Sequence, residues 1–209
     1  MLRITSFFCI FIFLILSCGC TLEHPPSIPM SALSGSRHDS ADTKKLISQA
    51  LLLSKRKLNY HFGSSNPRIG GMDCSGTIHY LLAKTAHMNA PGDASLLYVW
   101  VEKNGRLHPV NVHHFNSPEF NRLKPGDLLF WTGTYYTRRK PPVTHVMLYL
   151  GKDKHNRPLM FGATEGTYHG RIVRGIGVFD FTLPDRTERA KFVGYGCIPH
   201  YTCRIRGVA

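Results

Sequence analysis

The feature that most constrains the fold of this chain is a change of hydrophobic periodicity near Pro125. Before it, apolar residues recur at helical spacing in three segments, 42–57, 74–86 and 94–101. After it, short apolar segments separated by turns have the composition of strands: 127–131, 144–150, 159–164, 176–181 and 191–198. Helices followed by an antiparallel sheet define an α+β fold. Asp42 is the predicted N-cap of the first helix, so we expect one folded domain over 42–209.

The N-terminus has the pattern of a bacterial lipoprotein export signal. A positive charge precedes an apolar run over 7–16, which is too short for a bilayer-spanning helix of about 20 residues. The run ends at Cys18 and Cys20, in a sequence that resembles a lipobox. We predict a signal peptide over 1–17 and lipidation at Cys18, with Cys20, or a plain cleaved signal, as alternatives. Gly19 is not the aspartate that holds lipoproteins at the inner membrane, which favours an exported protein anchored in the outer membrane.

Residues 18–41 are rich in Pro, Ser, Gly and His and have little hydrophobic periodicity. This composition is typical of a flexible linker, because few of its side chains can contribute to a core. We therefore predict a tether that holds the folded domain away from the membrane.

The formal net charge is +13, from 26 basic and 13 acidic side chains in 209 residues. A charge of this size favours anionic partners such as a lipid surface or the bacterial cell wall. The basic residues are scattered and no nucleic-acid-binding motif is present, so a nucleic-acid partner is not expected.

Three cysteines follow the lipobox, Cys74, Cys197 and Cys203, and an odd number in an exported protein leaves one thiol unpaired. Cys197 and Cys203 are close in sequence and could form a disulfide. That pairing would leave Cys74 free.

Cys74 lies where a glycine-rich loop becomes a helix. The free amide groups and helix dipole at such a position stabilise a thiolate, and we expect them to lower the pKa of the thiol. The same amides can face the oxyanion that forms when a thiolate attacks a carbonyl group. A histidine on a distant strand, His145, is the natural partner base.

Three motifs occur in a fixed order: Asp73-Cys74-Ser75-Gly76, the Pro-Gly-Asp-Leu-Leu-Phe strand at 125–130, and the strand His145–Gly151. Together they resemble the NlpC-type family of papain-like cell-wall endopeptidases, over residues 42–181. The resemblance implies a papain-like fold, with N-terminal helices packed on an antiparallel sheet or half-barrel. It also implies hydrolysis of peptidoglycan stem peptides, most often between γ-D-glutamate and a diamino acid.

Matched residue by residue, the resemblance makes Cys74 the nucleophile and His145 the general base. Tyr60 matches a tyrosine that assists at the oxyanion or the substrate. Asp73 and Ser75 match positions that contact the amino terminus of the substrate, although both residue types also serve as a helix N-cap or turn.

The third catalytic position departs from the family pattern, because Gly162 stands where a histidine, asparagine or glutamine usually orients the imidazole. Thr164, Glu165, the more distant His169 or a backbone carbonyl could replace it. We predict Glu165, because a carboxylate best supports an imidazolium.

The resemblance leaves alternatives open: an amidase that cuts the sugar–peptide link, an acyltransferase, or a catalytically impaired module that binds cell wall. The loop at 133–143 is longer than the family needs and could form a wall or lid over the cleft. We expect no metal, no cofactor and a monomeric protein whose partners are peptidoglycan or muropeptides and, through its anchor, a membrane.

Overall fold

The computed structural model describes residues 23–203, so the predicted signal peptide and Cys18 lie outside the described residues. Within 23–203 there are three α-helices: α1 (Ala41–Ser54), α2 (Cys74–Ala86) and α3 (Ala94–Lys103). The strands are β1 (Asn59–Tyr60), β2 (Gly71–Met72), β3 (Leu107–Pro109), β4 (Asp127–Thr132), β5 (Val143–Lys152), β6 (Pro158–Tyr168), β7 (Arg171–Asp180) and β8 (Lys191–Cys197). The predicted α+β fold is therefore confirmed, and the change of periodicity near Pro125 separates the helices from the main strands.

Six strands form one antiparallel sheet in the order β3-β8-β4-β5-β6-β7. The two-residue strands β1 and β2 form a small parallel ladder beside it. The central position of β4 and β5 explains their continuous apolar sequences, because each is covered on both faces.

The helices pack on one face of this sheet. Leu46, Ile78 and Leu97, one from each helix, are fully buried against the sheet residues Phe130 and Val146. Alternate residues of the same strands point to the opposite face. There they join an aromatic-rich second core: Leu129, Trp131, Met147, Tyr149, Phe181, Phe192 and Tyr195. The predicted packing of N-terminal helices on an antiparallel sheet is thus present.

The first helix begins slightly earlier than predicted. Ser40, and not Asp42, is its N-cap, because the Ser40 side chain accepts a hydrogen bond from the backbone N–H of Thr43 at 3.1 Å. Asp42 lies in the first turn of α1, where a negative charge favours the helix dipole.

Residues 23–41 differ from the predicted flexible tether. They lie along the folded domain as a strap, in which Ile28 and Leu33 are buried. Backbone bridges join Glu23 to Val173 and Leu33 to Asp153. The few apolar residues of a Pro- and Ser-rich segment are therefore enough to dock it when the domain offers a groove.

The C-terminal end of the described chain is closed by a disulfide between Cys197 and Cys203, with 5.2 Å between the Cα atoms. The suggested pairing is confirmed, and Cys74 is a free cysteine. Among residues 23–203, no helix has the length and apolar character needed to cross a membrane.

Candidate active site

Cys74 is the first residue of α2 and is held there by its neighbour Asp73. One carboxylate oxygen of Asp73 accepts hydrogen bonds from Gly76 N–H at 2.6 Å and from Ser75 Oγ at 3.2 Å. The other accepts the backbone N–H of Gly63 at 2.8 Å. Asp73 therefore caps the helix and ties it to the preceding loop. This fixes the direction in which the Cys74 side chain leaves the backbone.

Gly76 is required by a close approach between α2 and that loop. A Cβ atom at this position would lie 2.1 Å from the backbone oxygen of Ser64. The loop is fastened on the same side, since Asp73 N–H donates to Ser64 O at 2.9 Å. The Asp-Cys-Ser-Gly motif thus packs the loop directly against the start of the helix.

Cys74 opens into a cavity of about 400 Å³. Its side chain is nevertheless only 5% exposed. The predicted substrate-binding residues Tyr60, Asp73 and Ser75 all line the same cavity. The structure therefore brings four of the predicted site residues together around one space that can hold part of a peptide.

Burial raises the pKa of the Cys74 thiol to about 11. Backbone N–H groups of Val146 and Ser75 donate toward the sulfur and oppose that rise, while the charge of Asp73 adds to it. We predicted a lowered pKa from the helix amides. The amides do act in that direction, but desolvation outweighs them.

His145 lies near the beginning of β5, directly before the Val146 amide that faces the Cys74 sulfur. The ladder shifts register here, pairing Trp131 with His145 and Thr132 with Val143. This bulge changes the direction of the strand at its start, and Thr144 lines the Cys74 cavity. The His145 ring packs edge-on against Trp131, with 5.7 Å between ring centroids.

His145 lines a second cavity, of about 500 Å³. Tyr60, Phe62 and Tyr135 line both cavities, so the two cavities adjoin along these three aromatic residues. Phe62 and Tyr135 are in edge contact, with ring centroids 5.9 Å apart. The predicted nucleophile and base thus line adjoining cavities that share an aromatic wall.

Burial lowers the pKa of His145 to about 4. Burial also raises the pKa of the Tyr60 hydroxyl, with further increases from the nearby Cys74, Asp73 and Tyr135. At neutral pH the thiol, the imidazole and the phenol are all uncharged. Tyr60 therefore keeps its proton and can donate a hydrogen bond into the site.

The missing third residue has a packing explanation. A Cβ atom at Gly162 would lie 2.5 Å from the Sδ atom of Met147. Met147 is fully buried and, two residues after His145, points to the same face of β5. The methionine side chain occupies the space that a side chain at position 162 would need.

The residues predicted for that role lie in different parts of the structure. Thr164 and Glu165 line its cavity. The Glu165 carboxylate lies 3.9 Å from the Arg174 guanidinium, and Thr164 Oγ1 donates to the Glu165 backbone oxygen at 3.1 Å. His169 is elsewhere, with its Nε2 atom 3.7 Å from the Asp153 carboxylate.

The loop over 133–142, which precedes β5, forms one wall of the Cys74 cavity through Tyr135 and Arg139. It is fastened to the start of α3, because Arg139 is ion-paired with Asp93 and Ser95 Oγ donates to Pro141 O at 2.7 Å. We name this fastening the loop latch. The sequence indicated a wall but not its attachment point.

Two further residues of the Cys74 cavity were not expected. His79, on α2, lines it with its Nδ1 atom 2.7 Å from the backbone oxygen of Ala90. Phe62 is 69% exposed beside the opening. Phe62 lies two residues after Tyr60, and this proximity in sequence is the signal that could have identified it. Within residues 23–203, no group of three potential ligand side chains could hold a metal ion.

A thiol at a helix N-terminus, packed against an antiparallel sheet that carries a histidine, is the papain-like arrangement. The family model described as the NlpC/P60 family matches residues 57–162, just over half of the chain. The chain belongs to the NlpC/P60 family, which confirms the resemblance seen in the motifs. Proteins of this family are generally cysteine peptidases of the cell-wall type, and they include catalytically impaired members.

A solved structure described as similar to a lipoprotein of the NLP/P60 family, from Staphylococcus aureus subsp. aureus Mu50, also resembles the chain. The sequence identity is 21% and the TM-score is 0.48, over 77% of this chain. The match spans only 43% of that neighbour's length. Among curated proteins no match was found.

Proposed function

We propose that this protein is a cysteine peptidase that hydrolyses peptidoglycan stem peptides, at the bond between γ-D-glutamate and a diamino acid. The observation that carries the proposal is the free Cys74 at the start of α2, open to a cavity that Tyr60, Asp73 and Ser75 line. Membership of the NlpC/P60 family supports the substrate class. The export signal and Cys18 support a location at the outer membrane.

In this mechanism, His145 removes the thiol proton as the Cys74 sulfur attacks the carbonyl carbon. A neutral imidazole is the form that can accept a proton, and its lowered pKa keeps it in that form at neutral pH. The C–N bond then breaks, and the imidazolium gives the proton to the leaving amine. Water, activated by His145, hydrolyses the thioester and frees Cys74.

The helix amides and the Tyr60 hydroxyl are the proposed donors to the oxyanion. The Asp73 carboxylate, with Ser75 beside it, is the proposed site for the free amino terminus of a stem peptide. Glu165 remains the proposed partner of the imidazole, which requires it to leave Arg174.

A catalytically impaired wall-binding module is the second candidate. The observation that favours it is the space that Met147 fills beside Gly162.

The test is incubation of the full chain, in detergent micelles, with defined stem tripeptides and tetrapeptides, with products identified by mass. We expect cleavage after γ-D-glutamate that Cys74→Ala abolishes and that His145→Asn reduces at least about 100-fold. His79→Asn is the matched control, because it removes another imidazole from the same cleft, and it should retain activity within about threefold.

Three results would change the proposal. Release of the peptide from its sugar would indicate the amidase. Binding of stem peptides without cleavage would support the impaired module. Equal losses of cleavage activity in His79→Asn and His145→Asn would show that His145 has no specific role in catalysis.

A further inference from the structure

A third cavity, of about 700 Å³, lies far from the candidate active site. It shares no lining residue with the Cys74 and His145 cavities. Asp127, on its wall, begins β4, whereas Trp131, which contacts His145, lies four residues further along that strand. Four residues of strand span about 13 Å, so a ligand here would be separate from the peptidase site.

Among the charged residues that line this cavity, three permanent cations stand against two carboxylates, Asp39 and Asp127. Arg106, Arg122 and Lys124 face it together with His38 and His108. Within residues 23–203, none of the three permanent cations lies within ion-pair distance of a carboxylate. We call this group the basic cavity.

Two carboxylates, Asp127 and Asp39, lie beside these cations, and the charge of Lys124 acts on Asp127. Asp127 is 4% exposed, and one of its oxygens accepts the backbone N–H of Lys124 at 2.8 Å. Its burial raises its pKa to about 7, so it is only partly ionised at neutral pH. Asp39 is half-buried with its pKa raised by burial, and its cationic neighbours are Lys44 and His38.

One pair of basic residues in the cavity is close enough to interact. Burial lowers the pKa of His108, and the charge of Arg122 lowers it further. The His108 ring is held against Tyr195 at 5.3 Å between centroids, so it cannot simply turn away. The positive charge of Arg122 thus reaches the cavity lining, where it would attract a bound anion.

We propose that the basic cavity binds a phosphate group carried on a sugar or polyol. Two guanidinium groups and an ammonium group supply the forked and point donors that phosphate oxygens accept. A volume of about 700 Å³ is larger than one phosphate needs and leaves room for the attached ester group. Such groups occur on soluble phosphate esters and on the headgroups of anionic lipids.

The experiment is calorimetric titration of the full chain, in neutral detergent micelles, with inorganic phosphate and with glycerol 3-phosphate. The double variant Arg106→Gln/Arg122→Gln should weaken glycerol 3-phosphate binding at least about tenfold. Arg56→Gln/Arg186→Gln is the control, because it removes the same charge from exposed positions outside the cavity, and it should change binding less than about twofold. Circular dichroism of both variants checks that they are folded.

A second arm separates the two sources of the phosphate. Micelles doped with phosphatidylglycerol are compared with micelles doped with phosphatidylcholine, with glycerol 3-phosphate as competitor. If phosphatidylglycerol competes with glycerol 3-phosphate in the wild-type protein but not in the Arg106→Gln/Arg122→Gln variant, the result supports the site and assigns it to a lipid headgroup. Absence of competition, with the tenfold loss still seen, supports the site and assigns it to a soluble ester.

The proposal is overturned if wild-type protein binds neither phosphate nor glycerol 3-phosphate. It is also overturned if both double variants lose affinity equally, because general surface charge would then explain the binding. Both arms can be run in Cys74→Ala protein, so they are independent of the peptidase activity.

Discussion

At the scale of single residues, burial determines the resting protonation of the proposed catalytic pair. It raises the pKa of Cys74 to about 11 and lowers that of His145 to about 4. The free protein therefore holds a neutral thiol and a neutral imidazole rather than a thiolate–imidazolium ion pair. Proton transfer has to accompany attack on the substrate, and a bound substrate that changes the solvation of the site can assist it.

This protonation state predicts the pH dependence of Cys74 alkylation. Only the thiolate reacts, and below a pKa of about 11 its fraction rises tenfold with each pH unit. The rate constant with iodoacetamide should therefore climb from pH 7 to pH 10 without a plateau. Modification is measured on the peptide that contains Cys74 by mass spectrometry, so that the leader cysteines do not interfere.

Glutathione in the same series is the control, because an ordinary thiol levels off near its pKa of about 8.5. A plateau for Cys74 at or below pH 7 would contradict the neutral-pair description and establish an activated thiolate.

The site residues that could be predicted from the sequence are those whose position depends on a short local motif. Cys74, Asp73 and Ser75 follow from a loop-to-helix pattern that is local in sequence, and the structure gathers them in one cavity. The contact between Met147 and Gly162 could not be predicted from the sequence, since the pairing of the strands decides which side chain fills the space. The pKa of Cys74 was mispredicted for a related reason, because burial depends on the whole packed domain.

At the scale of elements, the loop over 133–142 takes its position from α3. Asp93 serves both, since one oxygen caps α3 through the N–H groups of Ser95 and Leu96 and the other pairs with Arg139. A change in this latch can therefore move Tyr135 and the wall of the Cys74 cavity. The helix patterns were legible in the sequence, but this link between a loop and a distant helix start was not.

The variant Asp93→Asn tests the latch, because asparagine retains the capping oxygen and removes the ion pair. We expect amide hydrogen exchange across 133–142 to quicken about fivefold, with the free energy of unfolding lowered by less than about 1 kcal/mol, as for an exposed ion pair. Exchange is followed by mass spectrometry of peptides from this loop.

Arg139→Gln should reproduce the effect, whereas Arg138→Gln, an exposed neighbour, should not. Unchanged exchange in both Asp93→Asn and Arg139→Gln would show that Ser95 and Pro141 hold the loop without the ion pair.

At the scale of the whole molecule, the strap over 23–41 makes the folded unit larger than the predicted domain. Its composition resembles a linker, and only a few apolar side chains such as Ile28 and Leu33 distinguish it from one. Sequence periodicity cannot detect a segment that docks through short 3-10 turns without forming an α-helix or a long strand.

Leu33→Ala tests whether the strap belongs to the cooperative unit. Leu33 is 4% exposed, so truncation should lower the free energy of unfolding by about 2 kcal/mol or more. Leu52→Ala, on the outer face of α1 and 48% exposed, should cost less than about 1 kcal/mol. Urea unfolding followed by circular dichroism measures both. Equal stabilities of Leu33→Ala and wild type would mean that the strap opens independently of the domain.

Docking of the strap also limits how far the folded domain can lie from a lipid on Cys18. A free linker from Cys18 to residue 41 could extend about 80 Å, but from a lipid on Cys18 to the docked Glu23 the chain reaches only about 18 Å. Glu23 O accepts the backbone N–H of Arg174, a residue that lines the His145 cavity. A protein lipidated at Cys18 would therefore act on material in the first few nanometres above its own bilayer, and thicker layers of wall would lie beyond it.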